Sequence, residues 1–139
     1  MMKAFLNILP ALAAAILLSS CDRTLEPDSS FIGSPDIELT VAGSVVHRYD
    51  PLTWQLGYNP TTREFRASDD AMKNYFFVTC SAVPASTGQK LEATVTWTSG
   101  GSTLSSKGRF EVVKVQGDTY WLWNGDKKSR TGVTVRVLR

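Results

Sequence analysis

Residues 91–98 read Leu91-Glu92-Ala93-Thr94-Val95-Thr96-Trp97-Thr98, with apolar and polar side chains in strict alternation. Successive side chains of a β-strand point to opposite faces, so this segment predicts a strand with one buried and one solvated face. The same period of two recurs over residues 37–41, 54–58 and 133–137. Strands of this kind are typical of antiparallel sheets that bury one face in a core.

Short turn motifs separate the predicted strands. Gly117-Asp118 lies between residues 110–116 and 119–123, a spacing that predicts a two-residue hairpin, and Asn124-Gly125 marks the next reversal. About eight short strands at this spacing favour an all-β fold, namely an antiparallel two-sheet sandwich that is immunoglobulin-like or related. A small β-barrel remains the alternative.

The first 20 residues have the layout of a secretory signal. Lys3 supplies a positive charge, and residues 11–18 form an apolar run that is too short to span a bilayer, which needs roughly 20 residues. Leu18-Ser19-Ser20-Cys21 follows and resembles the lipobox of bacterial lipoproteins. The resemblance implies cleavage after residue 20 and attachment of lipid to Cys21, so that acyl chains hold the protein at a membrane.

Residues 21–35 predict a flexible tether, because they contain prolines, serines and aspartates, few apolar residues and no periodicity. Asp22 directly follows the predicted lipid site. An acid at this position resembles an inner-membrane retention signal in some lipoproteins and a surface-export signal in others. We expect the outer membrane or the cell surface, with a periplasm-facing location as the alternative. Residues 36–139 remain as one domain.

Charge and cysteine content narrow the functions of this domain. The chain has 15 basic and 13 acidic residues, a near-neutral balance that argues against nucleic acid, whose phosphates require concentrated positive charge. With Cys21 lipidated, Cys80 is the one remaining thiol, so no intramolecular disulfide is expected. Phe76, Val78, Cys80 and Ala82 share one predicted strand face, which predicts a buried, unreactive thiol.

A second resemblance covers most of the domain. It is carried by Gln55-Leu56-Gly57-Tyr58-Asn59, Phe65-Arg66-Ala67-Ser68-Asp69-Asp70, Tyr75-Phe76-Phe77-Val78, Pro84, Gly88-Gln89 and Thr96-Trp97-Thr98. These segments resemble small β-sandwich lipoproteins of the Bacteroides type. The resemblance implies an extracytoplasmic compartment and the sandwich fold, and it implies no particular activity.

The sequence presents no recognisable catalytic constellation. His47, the only histidine, lies beside residues 48–51, which predict a loop, and no serine motif accompanies it for a catalytic triad. One histidine and one buried cysteine are too few for the common zinc sites. Asp69 and Asp70 lack the alternating spacing of calcium ligands and are predicted to cap a helical turn over residues 68–72. We therefore expect no catalytic residue, no metal and no cofactor.

The aromatic run Tyr120-Trp121-Leu122-Trp123 is the first candidate binding surface. Alternation puts Tyr120 and Leu122 on one face of a strand and the two tryptophans on the other. If Val112 and Leu122 pack inward, both indoles are exposed and can stack on sugar rings or anchor a protein partner. In the alternative, both tryptophans belong to the core and Tyr120 lies outside.

A small basic cluster is the second candidate surface. Lys127, Lys128 and Arg130 follow the predicted turn at Asn124-Gly125 and are predicted to form a solvated loop. The sharper hypothesis is that they contact an anionic lipid or a glycan.

These features favour a non-catalytic binding module that is tethered to a membrane through its N-terminal lipid and binds a protein or a glycan. The alternative is a structural subunit of an envelope or adhesion assembly. A third hypothesis is a hydrolase that uses Asp50, Asp69 or Asp70, and it depends on these acids alone.

Overall fold

Strands account for most of the structure, a computed structural model that describes residues 25–138. The predicted signal and Cys21 lie outside the described residues. One short helix, α1, is followed by nine strands, and the bounds are α1 Ser29–Gly33, β1 Glu38–Val41, β2 Ser44–Arg48, β3 Trp54–Asn59, β4 Glu64–Asp69, β5 Tyr75–Cys80, β6 Lys90–Ser99, β7 Ser102–Gln116, β8 Thr119–Asn124 and β9 Thr131–Arg136.

The nine strands of residues 25–138 form one antiparallel sheet in the order β2-β1-β9-β8-β7-β6-β5-β4-β3, curled into a half-barrel. The predicted all-β, antiparallel class is confirmed, but the strands make one sheet where the predicted sandwich has two. The long strands β6 and β7 explain the difference, because they pair from Lys90↔Glu111 to Ser99↔Ser102 without interruption. The two halves of the sheet therefore stay hydrogen-bonded to each other.

The sheet stays open between its edge strands, β2 and β3. Nine strands make eight neighbouring pairs, all antiparallel, so β2 and β3 run in the same direction. Parallel neighbours need a crossover of about a dozen residues, whereas only residues 49–53 connect these two strands. Just before this connection, His47 of β2 contacts β6, because its Nε2 lies 2.7 Å from the carbonyl oxygen of Thr98.

The inner face of the sheet forms the main core. Side chains that alternate along the strands meet there, including Phe65, Phe76, Val95, Phe110 and Leu122, all fully buried. Each such side chain contributes about 1.5–3 kcal/mol when removed from water. The prediction from residues 91–98 is confirmed, because the burial pattern of β6 alternates from Lys90 to Thr98.

The predicted hairpin at Gly117-Asp118 is confirmed. Gln116 pairs with Thr119 across it, and Gly117 has a positive φ of 62°, a conformation that suits glycine. A β-bulge between Val112 and Lys114 then adds one residue to β7, so that Val113 and Lys114 both contact the outer side of the sheet.

Two local predictions need correction. The loop predicted beside His47 begins at Tyr49, because β2 includes Arg48. His47 itself lies in β2, and its ring centroid lies 5.8 Å from that of Trp54 and 6.4 Å from that of Phe76. The predicted helical turn over residues 68–72 is absent, because β4 continues to Asp69. The carboxylate of Asp69 accepts hydrogen bonds from the backbone N–H groups of Lys73 and Asn74 and thereby closes a β-turn connection, not a helix.

Residues 25–35 pack on the outer face of the sheet, where the sequence predicts a flexible tether. We name this segment, Leu25–Pro35 with α1 inside it, the N-terminal strap. Phe31 is fully buried against Trp121 and Trp123. A single large aromatic side chain anchors a segment whose composition is otherwise typical of a linker, and this is why composition predicts the wrong state. The rest of the predicted tether, residues 21–24, lies outside the described residues.

Candidate functional site

A polar row crosses five strands on the outer face of the sheet, beneath the N-terminal strap. Its members are Arg48, Glu38, Thr134, Trp121 and Lys114, one each from β2, β1, β9, β8 and β7, and the registers of these strands align them. Strand alternation explains the row in β1, β8 and β9, because the neighbours of Glu38, Trp121 and Thr134 point into the main core, and the β-bulge brings Lys114 to the same face.

Glu38 is the most deeply buried charged residue of this row, with 2% of its surface exposed. Its carboxylate accepts hydrogen bonds from Arg48 Nε at 3.1 Å and from the hydroxyl of Ser34 at 3.1 Å. Burial of a carboxylate is tolerated only when it is paired in this way. The strap therefore supplies one of the two groups that stabilise the charge of Glu38.

Three contacts fix the strap over the two indoles. Trp123 Nε1 donates a hydrogen bond to the carbonyl oxygen of Leu25 at 2.9 Å, and the ring centroid of Phe31 lies 5.9 Å from that of Trp123. Lys114 Nζ lies 4.5 Å from the ring centroid of Trp121 and donates to the carbonyl oxygen of Ile32 at 2.8 Å. Lys114 thus joins the strap to Trp121 by a hydrogen bond and a cation–π contact.

The structure settles the orientation of the aromatic run. Leu122 and Tyr120 point into the main core, as the alternation predicts, and Val112 packs with them. The alternative with exposed indoles is wrong, because Trp121 and Trp123 are 2% and 5% exposed beneath the strap. The other alternative is correct in that both indoles are buried, but Tyr120 does not lie outside, because it is buried in the main core. In this structure neither indole presents a face to a sugar.

The predicted basic cluster is divided. Lys127 and Lys128 are exposed in the loop between β8 and β9. Arg130 is turned toward the strap, where its Nε lies 3.5 Å from a carboxylate oxygen of Asp28. Only the two lysines therefore form an exposed basic surface in this loop.

The part of the outer face on β4 and β5 carries a stack of three side chains that the sequence prediction missed. Tyr75 and Phe77 stack with centroids 4.5 Å apart and planes 15° apart, and the guanidinium carbon of Arg66 lies 4.8 Å from the Phe77 centroid. We name Arg66, Phe77 and Tyr75 the aromatic–arginine stack. Its sequence signal was an aromatic residue at Phe77, an outward position beside the inward Phe76 and Val78.

The surroundings of the aromatic–arginine stack are polar. Across the strands, Phe77 pairs with Thr96 of β6, and Thr96 pairs with Ser105 of β7. The hydroxyl of Tyr75 lies 3.2 Å from that of Thr103. Glu64 lies 3.6 Å from Arg66 Nε but leaves more than half of the Arg66 side chain exposed. The stack is therefore an amphipathic patch with hydroxyl groups beside it.

A groove of about 510 Å³ lies between the start of the strap and β7. Leu25, Pro27 and Trp123 contribute apolar atoms to its lining, and Lys107, Arg109 and Glu111 are among the charged groups. Both signs of charge line the groove, which therefore has no strong preference for an anion or a cation.

The residues considered for catalysis make structural contacts. Burial raises the pKa of the Cys80 thiol to about 11, which keeps it protonated at neutral pH. A side-chain hydrogen bond from Asn74 lowers the pKa of Asp69, and Asp50 accepts a hydrogen bond from the backbone N–H of Leu52. Within residues 25–138, no group of three or more histidine, cysteine, aspartate or glutamate side chains is arranged to hold a metal ion.

Comparison with known proteins gives no match to a family model, a curated protein or a solved structure. In the part of the chain that the structure describes, no helix has the length and apolar character needed to cross a bilayer.

Proposed function

We propose that this chain is a lipoprotein of the outer membrane or cell surface whose β domain is a non-catalytic module for binding a protein partner. The observation that carries the binding role is the aromatic–arginine stack on the outer face of β4 and β5. The proposed lipid attachment at Cys21, which we call the lipid address, rests on the resemblance of Leu18-Ser19-Ser20-Cys21 to a lipobox.

The composition of the stack favours a protein partner. Tyrosine and arginine are enriched among the residues that contribute most to protein interfaces, because each combines apolar contact area with directional hydrogen bonds. Arg66 is held by the ring of Phe77 and by Glu64, so little side-chain entropy remains to be lost on binding. Thr96 and Ser105 beside it offer hydroxyl groups for a polar rim.

A glycan is a poorer fit to the same surface. Sugars are bound by aromatic rings through ring faces that are free to stack. The ring of Phe77 is already engaged by Tyr75 and Arg66, and the indoles of Trp121 and Trp123 are covered by the strap. The protein version of the binding hypothesis therefore has the stronger structural support.

Photo-crosslinking in the native host tests the binding role. A photoreactive phenylalanine analogue at Thr96, beside the stack, is expected to give a discrete adduct with one partner protein. The same analogue at Ser30, which is exposed on the strap, is the matched control and is expected to give none. The variant Arg66→Lys keeps the charge but loses the planar stacking group, and it should reduce the Thr96 adduct severalfold. Equal labelling from Thr96 and Ser30 would contradict the proposal.

The lipid address is tested separately. Cells that express the full chain are fed an alkyne-tagged fatty acid, and the tagged protein is expected in the membrane fraction. In the variant Cys21→Ser the tag should be lost and the protein should leave that fraction. Mass spectrometry that finds an unmodified Cys21 in the mature protein would refute this part of the proposal.

The open edges of the sheet favour a second candidate, a subunit of an envelope or adhesion assembly. Of the described strands, β2 and β3 each have a neighbour on one side only, and Val45 on β2 is 46% exposed. Exposed edge strands can pair with a strand of another chain. We expect Val45→Lys to disrupt such an assembly in mild detergent, while Leu52→Lys, in the adjacent loop, leaves it intact. A native protein that is monomeric without either change argues against this candidate.

A further inference from the structure

The loop between β8 and β9 forms a tight turn with two lysines at its apex. The backbone N–H of Ser129 donates to the carbonyl oxygen of Asp126 at 3.2 Å, which makes Lys127 and Lys128 the two central residues. The side chain of Asp126 accepts a hydrogen bond from the backbone N–H of Lys128 at 2.8 Å. The carboxylate of Asp126 is thus held by the backbone of the turn, and both lysines are exposed.

The N-terminal strap begins beside this turn. The backbone N–H of Leu25 donates to the carbonyl oxygen of Gly125 at 2.8 Å, and Gly125 immediately precedes Asp126. A β-carbon at residue 125 would lie 2.4 Å from the carbonyl oxygen of Leu25, so the close approach requires glycine. From Leu25 back to Cys21 there are four residues, which span at most about 14 Å when fully extended.

We propose that Lys127 and Lys128 contact the anionic headgroups of the membrane in which Cys21 is anchored, and so orient the domain on its surface. This inference rests on the proposed lipid at Cys21. A lipid within about 14 Å of Leu25 brings the adjacent turn near the bilayer, where the attraction of basic side chains to anionic lipid acts within a Debye length of about 8 Å. The partner is therefore an anionic lipid surface, not a soluble ligand.

Other charged groups lie near the turn, because Lys107, Arg109 and Glu111 line the adjoining groove beside Leu25. Arg130 is paired with Asp28 at 3.5 Å. Glu26 is the exposed acid at the start of the strap and reduces the attraction. Each lysine near an anionic surface favours the bound orientation by about fivefold. Two lysines are thus sufficient to bias orientation in a protein that its lipid already holds at the membrane, although not to recruit an unlipidated one.

The test measures protection of individual lysines in the lipid-bearing chain from the native host. The protein is incorporated into vesicles of phosphatidylcholine with 30% phosphatidylglycerol, or into pure phosphatidylcholine, and is treated with an amine-acetylating reagent. Mass spectrometry then gives the acetylation rate of each lysine. Lys73, exposed on the turn between β4 and β5 and three strands away from β8, is the internal control.

We expect Lys127 and Lys128 to react about tenfold more slowly on the anionic vesicles than on the neutral ones, while Lys73 reacts equally on both. Half-molar salt should remove the protection, because it screens the attraction. Lipid-bearing protein in which Lys127, Lys128 and Lys73 react alike on both vesicles would overturn the orientation alone. Protein that carries no lipid and does not float with vesicles would overturn the lipid address, and the orientation with it.

Discussion

The ring of Phe31 lies directly on the backbone of Gly132 in β9, so close that a β-carbon at residue 132 would come within 2.9 Å of three ring carbons. Glycine at this position lets the N-terminal strap reach the sheet. The contact also covers Trp123, whose indole lies beside the Phe31 ring. The fit between Phe31 and Gly132 therefore decides whether the outer face over β8 and β9 is closed.

Gly132→Ala should detach the strap locally. Because the new methyl group overlaps the Phe31 ring, we expect the free energy of unfolding to fall by about 1–3 kcal/mol, the usual cost of overpacking. Quenching of tryptophan fluorescence by acrylamide should increase as the indoles become accessible. Gly57→Ala is the control, because nothing lies within 4 Å of a β-carbon there. Equal urea midpoints and equal quenching for the two variants would contradict the role of Gly132.

Lys114→Met should loosen the strap without touching the main core. The change removes the hydrogen bond to Ile32 and the cation over Trp121, and it keeps an unbranched side chain that is one atom shorter. We expect a loss of about 2–4 kcal/mol, the sum of one charged hydrogen bond and a partly buried cation–π contact. Hydrogen exchange at residues 31 and 32 should accelerate. Lys107→Met, on the same strand at an exposed position, should leave that exchange unchanged.

Arg48→Met should destabilise the fold through Glu38. Arg48 itself is half exposed, but its loss leaves the carboxylate of Glu38 buried with only Ser34 as a side-chain hydrogen-bond donor. We expect a loss of about 1–3 kcal/mol in urea unfolding, less than for a fully buried pair because solvent reaches Arg48. Arg109→Met breaks the exposed ion pair with Glu92 at 3.4 Å and should cost less than about 0.5 kcal/mol. Similar losses for the two variants would show that burial of Glu38 is energetically irrelevant.

Cys80 should make stability depend on pH in the alkaline range. Burial raises the pKa of its thiol from 9.0 to about 11 in the folded state. The unfolded chain therefore loses this proton first as pH rises, so the stability that the neutral thiol contributes is complete below pH 9. It then declines until about pH 11, by roughly 1.4 kcal/mol for each pH unit.

The variant Cys80→Ala isolates this effect from those of other groups that lose protons in the same pH range. The difference in free energy of unfolding between the native chain and the variant should shrink between pH 9 and pH 11. Within the same range, folded protein should resist alkylation of Cys80, and denatured protein should react at once. A pH-independent difference, or rapid alkylation of the folded protein at pH 8, would contradict a buried neutral thiol.

Several features of this protein were predictable because they depend on neighbours in the chain. Strict alternation over residues 91–98 predicted the buried face of β6, and Gly117-Asp118 predicted its hairpin from turn chemistry. The burial of Cys80 followed from the same alternation, since Phe76 and Val78 share its face. Ala82 departs from that prediction and is exposed, because β5 ends at Cys80. The prediction of a helical turn over residues 68–72 was wrong, because an aspartate that accepts hydrogen bonds from backbone N–H groups can close a turn as well as cap a helix.

Alternation alone could assign Trp121 and Trp123 to one face of β8, but it could not say what covers that face. The cover is the strap, about 90 residues earlier in the chain, and its composition is typical of a linker. Only the tertiary structure brings Phe31 onto Gly132 and Leu25 onto Trp123, because such contacts depend on the shapes of surfaces that are distant in sequence. The single open sheet was decided in the same way, by strand directions and by a connection too short to bring β3 alongside β2.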